Sequence, residues 1–294
     1  MTVSSSIEHV SDTAFLIAHF RAVESGRKDA LFRDPLAEVL SGERGRAIAG
    51  AWPTVAMTAW MTAVRTVVID DYIKEAITRG VQTIVNLGAG LDTRPYRMNL
   101  SPALEWIEVD YPDVIAFKEE RLRGQTPRCR LERLGIDLSQ AGERRALFER
   151  LGASGKRLLV LTEGVVPYLE LQQAADLAAD LLRLRNVDGW IVDYVSPESH
   201  KYRRKAGVER HLQRSPFKFE PADWFGFFAE RGWRARETRY LPEIGERLGR
   251  PAPLPLAVRL LIKLSRLLKP GAGKTALGRF SGYVLLEPAP PSKP

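Results

Sequence analysis

The 294-residue sequence contains a single cysteine, Cys129, and only four histidines. One cysteine can form neither a disulfide within the chain nor a cysteine-based metal cluster, so we expect no metal site. The sequence also has no run of the roughly 18 apolar residues that would span a bilayer. Its first residues show no basic region followed by an apolar core, as a secretory signal would. These absences favour a cytoplasmic protein.

The overall composition is that of an ordinary globular protein, with 45% hydrophobic and 27% charged residues. The length suits one large α/β domain or two small ones. The net charge is +8, and the basic excess lies in the C-terminal third. A solvated surface or attraction of an anionic substrate would both explain it. Because no stacking-aromatic pattern accompanies these charges, we expect no nucleic-acid partner.

A glycine turn follows the first apolar strand pattern of the α/β region. The run Thr83-Ile84-Val85 leads into Gly88-Ala89-Gly90, and a helix can begin soon afterwards. Glycines let the backbone approach a ligand closely at the carboxyl end of the first strand. A second strand, about twenty residues on, ends in Asp110, where a carboxylate can accept hydrogen bonds from ribose hydroxyls. The pattern therefore predicts a nucleotide-like ligand.

The residues after the turn favour S-adenosylmethionine over NAD. A dinucleotide fingerprint has a third glycine where this chain has Thr93, and Asp92 precedes it. An acid beside the turn would repel a pyrophosphate. S-adenosylmethionine has no phosphate and carries a positive sulfonium, so it suits this loop better.

Strand and helix patterns alternate regularly after the turn. This alternation predicts a doubly wound parallel α/β sheet. The predicted strands are 82–88, 104–110, 130–137, 157–163 and 189–195, and two later strands, 233–241 and 281–287, complete a seven-stranded sheet. We expect one structural domain overall, with an N-terminal helical cap or lid (1–80) and a cofactor-binding α/β core (81–294). The core would carry a substrate-lid insertion at about 242–278, before the last strand.

Four strands in succession end in residues suited to a ligand-binding edge, namely Gly88, Asp110, Asp137 and Glu163. Each acid alone has a structural explanation, because acids often cap the helix that follows a strand. Asp34 is also a predicted helix cap, with Pro35 at the first helical position. The succession of four polar strand ends favours a binding site.

Arg65 occupies the middle of an apolar stripe on a predicted helix, 55–79. A charge in such a place needs a partner. Either an internal ion pair or the carboxylate of a bound amino-acid-like ligand would provide one. Arg21 is a weaker case of the same kind.

Six motifs together resemble the leucine carboxyl methyltransferase family, in its bacterial branch of S-adenosylmethionine-dependent O-methyltransferases that includes polyketide carboxyl methylating enzymes. They are LFRDPLA (31–37), RTVVID (65–70), NLGAGLDTRPYRM (86–98), EVDYPDV (108–114), GIDL (135–138) and TEGVVPYL (162–169). The resemblance covers most of the chain. It implies a class I methyltransferase sheet, which is Rossmann-like, and S-adenosylmethionine as the cofactor.

The resemblance also assigns residue roles. Arg65 would hold the carboxylate of the cofactor, and Glu163 would lie near its amino group. The remaining cofactor contacts would come from the turn, two strand ends and the first helix: Gly88, Ala89 and Gly90 beneath the methionine part, Asp110 and Tyr111 at the ribose, Asp137 and Leu138 at the adenine, and Arg21 closing over the cofactor. Apart from the resemblance, the position of Tyr168 just after the fourth strand suits either a hydrogen bond to the acceptor or packing, and we name Tyr168 and Arg65 as the candidate catalytic residues.

Methyl transfer from a sulfonium is an in-line displacement that mainly requires positioning and desolvation. A carboxylate acceptor, with an unperturbed pKa of about 4, is ionised at neutral pH and needs no general base, whereas a phenol, at about 10, needs one. The histidines lie outside the central motifs. We therefore predict O-methylation of a carboxylate on a small-molecule or lipid-like acid.

Two alternatives remain at this point. One is an NAD(P) oxidoreductase, and the other is a non-catalytic cofactor-binding or surface-associated protein. The segment from Leu254 to Lys269 predicts a basic amphipathic helix. Such a helix folds its leucines onto its own domain, closes over a substrate as a lid, or makes weak contact with a membrane surface.

Overall fold

The computed structural model describes residues 12–212, 215–254 and 278–290. The strands in these ranges are β1 (Thr83–Leu87), β2 (Glu105–Asp110), β3 (Arg130–Gly135), β4 (Leu158–Thr162), β5 (Val187–Val195), β6 (Trp233–Tyr240) and β7 (Ser281–Pro288). The helices are α1 (Asp12–Ser25), α2 (Ala37–Ala51), α3 (Val55–Thr78), α4 (Arg94–Arg97), α5 (Pro112–Arg121), α6 (Ala141–Ala153), α7 (Leu171–Leu182), α8 (Pro197–Lys205), α9 (Val208–His211), α10 (Trp224–Ala229) and α11 (Leu241–Arg247). A single 3₁₀ turn, Val166–Tyr168, follows β4.

The seven strands form one sheet in the order β3-β2-β1-β4-β5-β7-β6. Strands β1 to β5 are parallel to their neighbours, and β7 runs antiparallel between β5 and β6. The strand order reverses at β1 and β4, which is where doubly wound sheets bind ligands. The predicted seven-stranded α/β fold is confirmed.

The central strands are buried on both faces, because each is a continuous apolar run with helices on either side. Every residue of β1 and of β4 is buried. One face packs against α6, α7 and α10, and the other packs against α3 and α11. This double covering fixes the strand ends firmly, so the side chains that follow them are well positioned.

The three N-terminal helices precede the sheet, and α1 packs against both α2 and α3. The prediction that Asp34 caps the second helix is wrong. Helix α2 starts at Ala37, its N-cap is Leu36, and no side chain caps it. Asp34 is instead buried and accepts a 2.9 Å hydrogen bond from Arg21 Nε. A buried carboxylate needs a cation, and that need outweighs the capping preference.

The predicted insertion at about 242–278 is described only in part. Helix α11 opens it, and residues 255–277 lie outside the described residues. The predicted amphipathic helix from Leu254 to Lys269 therefore lies outside them as well, apart from Leu254. In the described part of the chain, no helix has both the length and the apolar character that a membrane crossing needs.

Candidate active site

A cavity of about 470 Å³ lies at the carboxyl ends of the parallel strands. Helices α1, α3 and α8 contribute to its walls. The cavity brings together all of the residues that the sequence assigned to the site: Arg21, Arg65, Gly88, Ala89, Gly90, Asp110, Tyr111, Asp137, Leu138, Glu163 and Tyr168. Their individual roles stay predictions, but their convergence in one cavity is a property of the fold.

The glycine turn is tied to the end of β2. Gly88 and Gly90 have φ values of +70° and +46°, in the left-handed region that favours glycine. The Gly88 and Ala89 amides donate to the Val109 carbonyl at 2.8 and 3.0 Å. A Cβ on Gly88 would also clash with Val165 Cγ2. Any larger residue at position 88 would therefore displace the wall of the cavity.

Asp110 holds the turn from the neighbouring strand. Its Oδ2 accepts a 2.6 Å hydrogen bond from the Gly90 amide, and its Oδ1 accepts one of 2.8 Å from the Tyr111 amide. Burial raises the pKa of Asp110, although both amides act in the opposite direction. The carboxylate is thus fixed beside the glycine turn, where the sequence predicted the ribose contact.

Arg65 and Glu163 face each other at the polar end of the cavity. Arg65 Nε lies 2.9 Å from Glu163 Oε1, so the ion-pair alternative is present in the structure. The contact lacks hydrogen-bond geometry at Nε. Burial acts to raise the pKa of Glu163, but the charges of Arg65 and Arg94 outweigh it and hold that pKa below its ordinary value. Arg65 therefore meets an ionised partner and retains a donor for a ligand carboxylate.

Sequence reasoning missed the buried guanidinium of Arg94. Its Nε donates to Asp70 at 2.7 Å, and its Nη1 donates to Asp92 at 2.7 Å and to Glu163 at 2.9 Å. Asp92 is therefore neutralised by Arg94, and it is less repulsive to a phosphate than its place in the sequence suggested. The signal available was the Arg94-Arg97 pair directly after this acid.

Asp193 was also missed, because it lies inside β5 and not at a strand end. It lines the cavity, accepts a 2.7 Å hydrogen bond from the Tyr283 hydroxyl, and accepts one of 3.0 Å from the Gly164 amide. Burial raises its pKa to about 6. Asp193 is thus a titratable carboxyl inside the cavity.

Another part of the cavity wall is largely apolar. Trp52, Met57 and Leu212 line it, together with Tyr168 and Phe217, whose rings meet edge to face at 4.7 Å. Burial raises the pKa of Tyr168, against a hydrogen bond with Thr13. The Tyr168 hydroxyl is therefore neutral at ordinary pH. We refer to this region as the apolar end.

The histidines that the structure describes do not line the cavity. His200 Nδ1 lies 2.8 Å from Glu220 Oε1, and His211 contacts the carbonyl of Gly207. Across residues 12–212, 215–254 and 278–290, no cluster of three or more His, Cys, Asp or Glu side chains is arranged to hold a metal ion.

The polar end of the cavity fits an amino-acid-like group. Thr62 Oγ1 and Asn86 Oδ1 line it, are buried and have no hydrogen-bond partner within the described part of the chain, and Arg65 Nε meets Glu163 without hydrogen-bond geometry. Buried polar atoms in proteins are normally satisfied. These atoms could donate to a carboxylate and accept from an ammonium, which are the two charged groups of the methionine part of S-adenosylmethionine.

The sequence model of the leucine carboxyl methyltransferase family matches residues 14–181, which span α1 to α7. The chain belongs to the leucine carboxyl methyltransferase family. This match confirms the resemblance drawn from the six motifs. The matched region includes every predicted site residue.

Curated relatives match over nearly their whole length. A protein of Frankia alni is 31% identical over 273 residues, covering 86% of this chain and 94% of its own. A protein of Mycobacteroides abscessus is 30% identical over 285 residues, covering 82% and 89%. Both are provisionally named as S-adenosyl-L-methionine-dependent methyltransferases.

Solved structures share the fold at low sequence identity. A duf574 family protein from Streptomyces avermitilis aligns with a TM-score of 0.53 and 14% identity, covering 93% of this chain and 97% of its own. A protein from Thermobifida fusca, provisionally titled a methyltransferase, aligns with a TM-score of 0.52 and 12% identity, covering 93% and 95%. These likenesses support the architecture alone.

Proposed function

We propose that this protein methylates the carboxylate of a small, largely apolar acid, a class that includes lipid-like and polyketide acids. The protein is an S-adenosylmethionine-dependent methyltransferase, as its family and the names of its relatives in Frankia alni and Mycobacteroides abscessus indicate. The acceptor class is our inference. The observation that carries it is that one cavity is lined both by the Arg65–Glu163 ion pair and by the apolar side chains of Trp52, Met57, Leu212 and Phe217.

At the charged end, the chain would bind the cofactor and orient it. Arg65 would pair with the cofactor carboxylate, and Glu163, held by Arg94, would accept from its ammonium group. Asp110 would accept from the ribose while it holds the Gly90 amide. The bound cofactor supplies a methyl group on a sulfonium, whose departure as a thioether requires no proton.

At the apolar end, the chain would hold the acceptor and exclude water. Removing water increases the rate at which an anionic nucleophile reacts with a cationic methyl donor. The neutral hydroxyl of Tyr168 lies at this end and could donate a hydrogen bond to an acceptor oxygen. A carboxylate would arrive already ionised, since its ordinary pKa is about 4.

Methylation of a hydroxyl group is the second candidate, and Asp193 is the observation in its favour. A carboxyl with a pKa of about 6 inside the cavity has the basicity of a general base. However, Asp193 already accepts hydrogen bonds from the Tyr283 hydroxyl and the Gly164 amide. This engagement leaves it poorly placed to take a proton from an acceptor, so we favour the ester product.

The first experiment is calorimetric titration with S-adenosylmethionine, S-adenosylhomocysteine and NADPH in parallel. We expect the two sulfur ligands to bind at micromolar concentration and NADPH not to bind. Binding of NADPH alone would favour the oxidoreductase alternative and overturn the proposal. A catalytically silent regulator would bind the sulfur ligands but turn over no acid.

The second experiment identifies the bond that is formed. The enzyme is incubated with methyl-labelled cofactor and a panel of straight-chain and aromatic acids, and the product is treated with mild alkali. A methyl ester releases labelled methanol under these conditions, whereas a methyl ether keeps the label. Retention of the label would show that the acceptor is a hydroxyl and not a carboxylate.

The cytoplasmic location and the absence of a nucleic-acid partner stay predictions, as does the membrane contact through residues 254–269.

A further inference from the structure

Helix α8 ends in three consecutive basic residues, Arg203, Arg204 and Lys205. The first two differ in where their side chains lie. Arg204 points outward and pairs with Glu220 at 3.2 Å. Arg203 lines the cavity instead. Its Nη1 and Nη2 atoms are buried, and neither has a hydrogen-bond partner among the described residues.

The guanidinium of Arg203 stacks on the ring of Phe217, with Cζ 3.3 Å from the ring centroid. Stacking occupies the face of a guanidinium, while its N–H groups point outward in the plane of the group. The donor edge therefore remains available for a planar, bidentate partner such as a carboxylate. The same Phe217 ring contacts Tyr168, which places Arg203 at the apolar end of the cavity.

A buried cation in this position destabilises the folded protein unless an anion compensates its charge. Burial lowers the pKa of Arg203 to about 10, although Tyr168, Glu209 and Glu220 act to raise it. The group is still charged at neutral pH. A carboxylate entering an otherwise apolar region would meet this guanidinium as a ready counter-ion.

We propose that Arg203 is the specificity-determining residue for the acceptor, and that it binds the carboxylate of the acid that is methylated. This inference rests on the proposed function. In the transfer step, a carboxylate oxygen forms the bond to the methyl carbon, the sulfur–carbon bond breaks with its electron pair on sulfur, and no proton moves. The product ester is neutral, so the ion pair with Arg203 is lost once the bond forms. The same residue thus selects the acid and disfavours retention of the ester.

The test compares the wild type with Arg203→Met, which keeps an apolar stem against Phe217 but removes the charge. Arg204→Met is the matched control, because it removes an adjacent arginine that faces outward. Each protein is saturated with S-adenosylhomocysteine and titrated with octanoate, 4-phenylbutyrate and the two corresponding methyl esters. The wild type should bind at least one acid tenfold or more tightly than its ester. Arg203→Met should reduce that preference to less than twofold, and Arg204→Met should keep it.

A third variant, Arg203→Lys, retains a cation and should restore part of the preference, which a purely structural role would not produce. It also serves if Arg203→Met does not fold. Equal binding of acid and ester by the wild type, or a preference that persists without a positive charge at position 203, would overturn the inference. Failure of the wild type to bind S-adenosylhomocysteine would instead overturn the proposed function, so the two failures are distinguishable.

Discussion

Arg65 Nε lies 2.9 Å from Glu163 Oε1, and this contact joins helix α3 to the residue that follows β4. The two side chains carry the charges that complement the carboxylate and the ammonium of an amino acid. Their mutual attraction holds each in place in a partly buried site. A zwitterionic ligand would therefore find both of its partners already positioned.

Replacing Arg65 with alanine should weaken the binding of S-adenosylhomocysteine, because the ligand carboxylate would lose its charged donor. We expect a loss on the order of 2 kcal/mol, or about 30-fold in Kd. Calorimetric titration measures it directly. Lys74→Ala, on the same helix but exposed and paired with Asp71, should leave the affinity unchanged. Equal affinities for both variants would show that Arg65 does not bind the cofactor.

Gly88→Ala should destabilise the fold more than the same change at Gly155. The two glycines have similar φ values, +70° and +66°, so both variants incur the conformational cost of roughly 1–2 kcal/mol. Only at Gly88 does the added methyl group meet a neighbour, Val165 Cγ2. This clash should add about 1–3 kcal/mol. Urea unfolding compares the two, and Val165→Ala in the Gly88→Ala background should recover part of the difference.

Asp193 should make stability fall as the pH rises from about 4 to about 7. Its pKa is about 6 in the folded protein and about 4 in the unfolded chain. The folded state therefore favours the protonated form, and the resulting stability is present below pH 4 and lost as the pH rises through 6. The loss is about 3 kcal/mol.

The difference in unfolding free energy between the wild type and Asp193→Asn, measured at pH 4.5 and 7.5, isolates this contribution from the other carboxyls. The unfolding free energy of Asp193→Asn should depend less on pH than that of the wild type. Tyr283→Phe removes the hydrogen bond that lowers the pKa of Asp193, so it should enlarge the loss. A pH-independent difference would show that Asp193 ionises normally.

Arg94→Met should be among the most damaging substitutions in the chain. It leaves Asp70, Asp92 and Glu163 without a shared cation in a buried place. Removing one side of a buried ion network typically costs about 3–5 kcal/mol. The measurement is the midpoint of urea unfolding, with the exposed Arg123→Met as the control. A cost below about 1 kcal/mol would mean that Arg97 at Asp70 and Arg65 at Glu163 compensate for the lost cation.

The sequence was most informative about the sheet, because the central strands are apolar runs that end in glycine or an acid. That pattern placed Gly88, Asp110 and Glu163 at one edge without any structural information. It was silent about Arg94, since the partners of Arg94 come from α3, the turn and the end of β4. Contacts between elements that are distant in sequence leave no local pattern.

Two further residues show the same limit. Asp193 lies inside a strand and resembles any polar residue there until Tyr283 is brought opposite it by β7. Asp34 has the position of a helix cap in the sequence, yet its carboxylate pairs with Arg21. In both cases a tertiary contact determines the role of the side chain. Local sequence preference gave no role to Asp193, and it gave the wrong role to Asp34.

The position of β7 has a consequence for synthesis. It is the last strand of the sheet to leave the ribosome, yet it lies between β5 and β6. Before it emerges, β6 has no strand to pair with and β5 presents an open edge, a feature that exposes nascent chains to wrong pairing. Tyr283 and its neighbours in the cavity wall arrive with the same strand. Pairing of β7 with both of its neighbours therefore completes the sheet and this part of the cavity wall together.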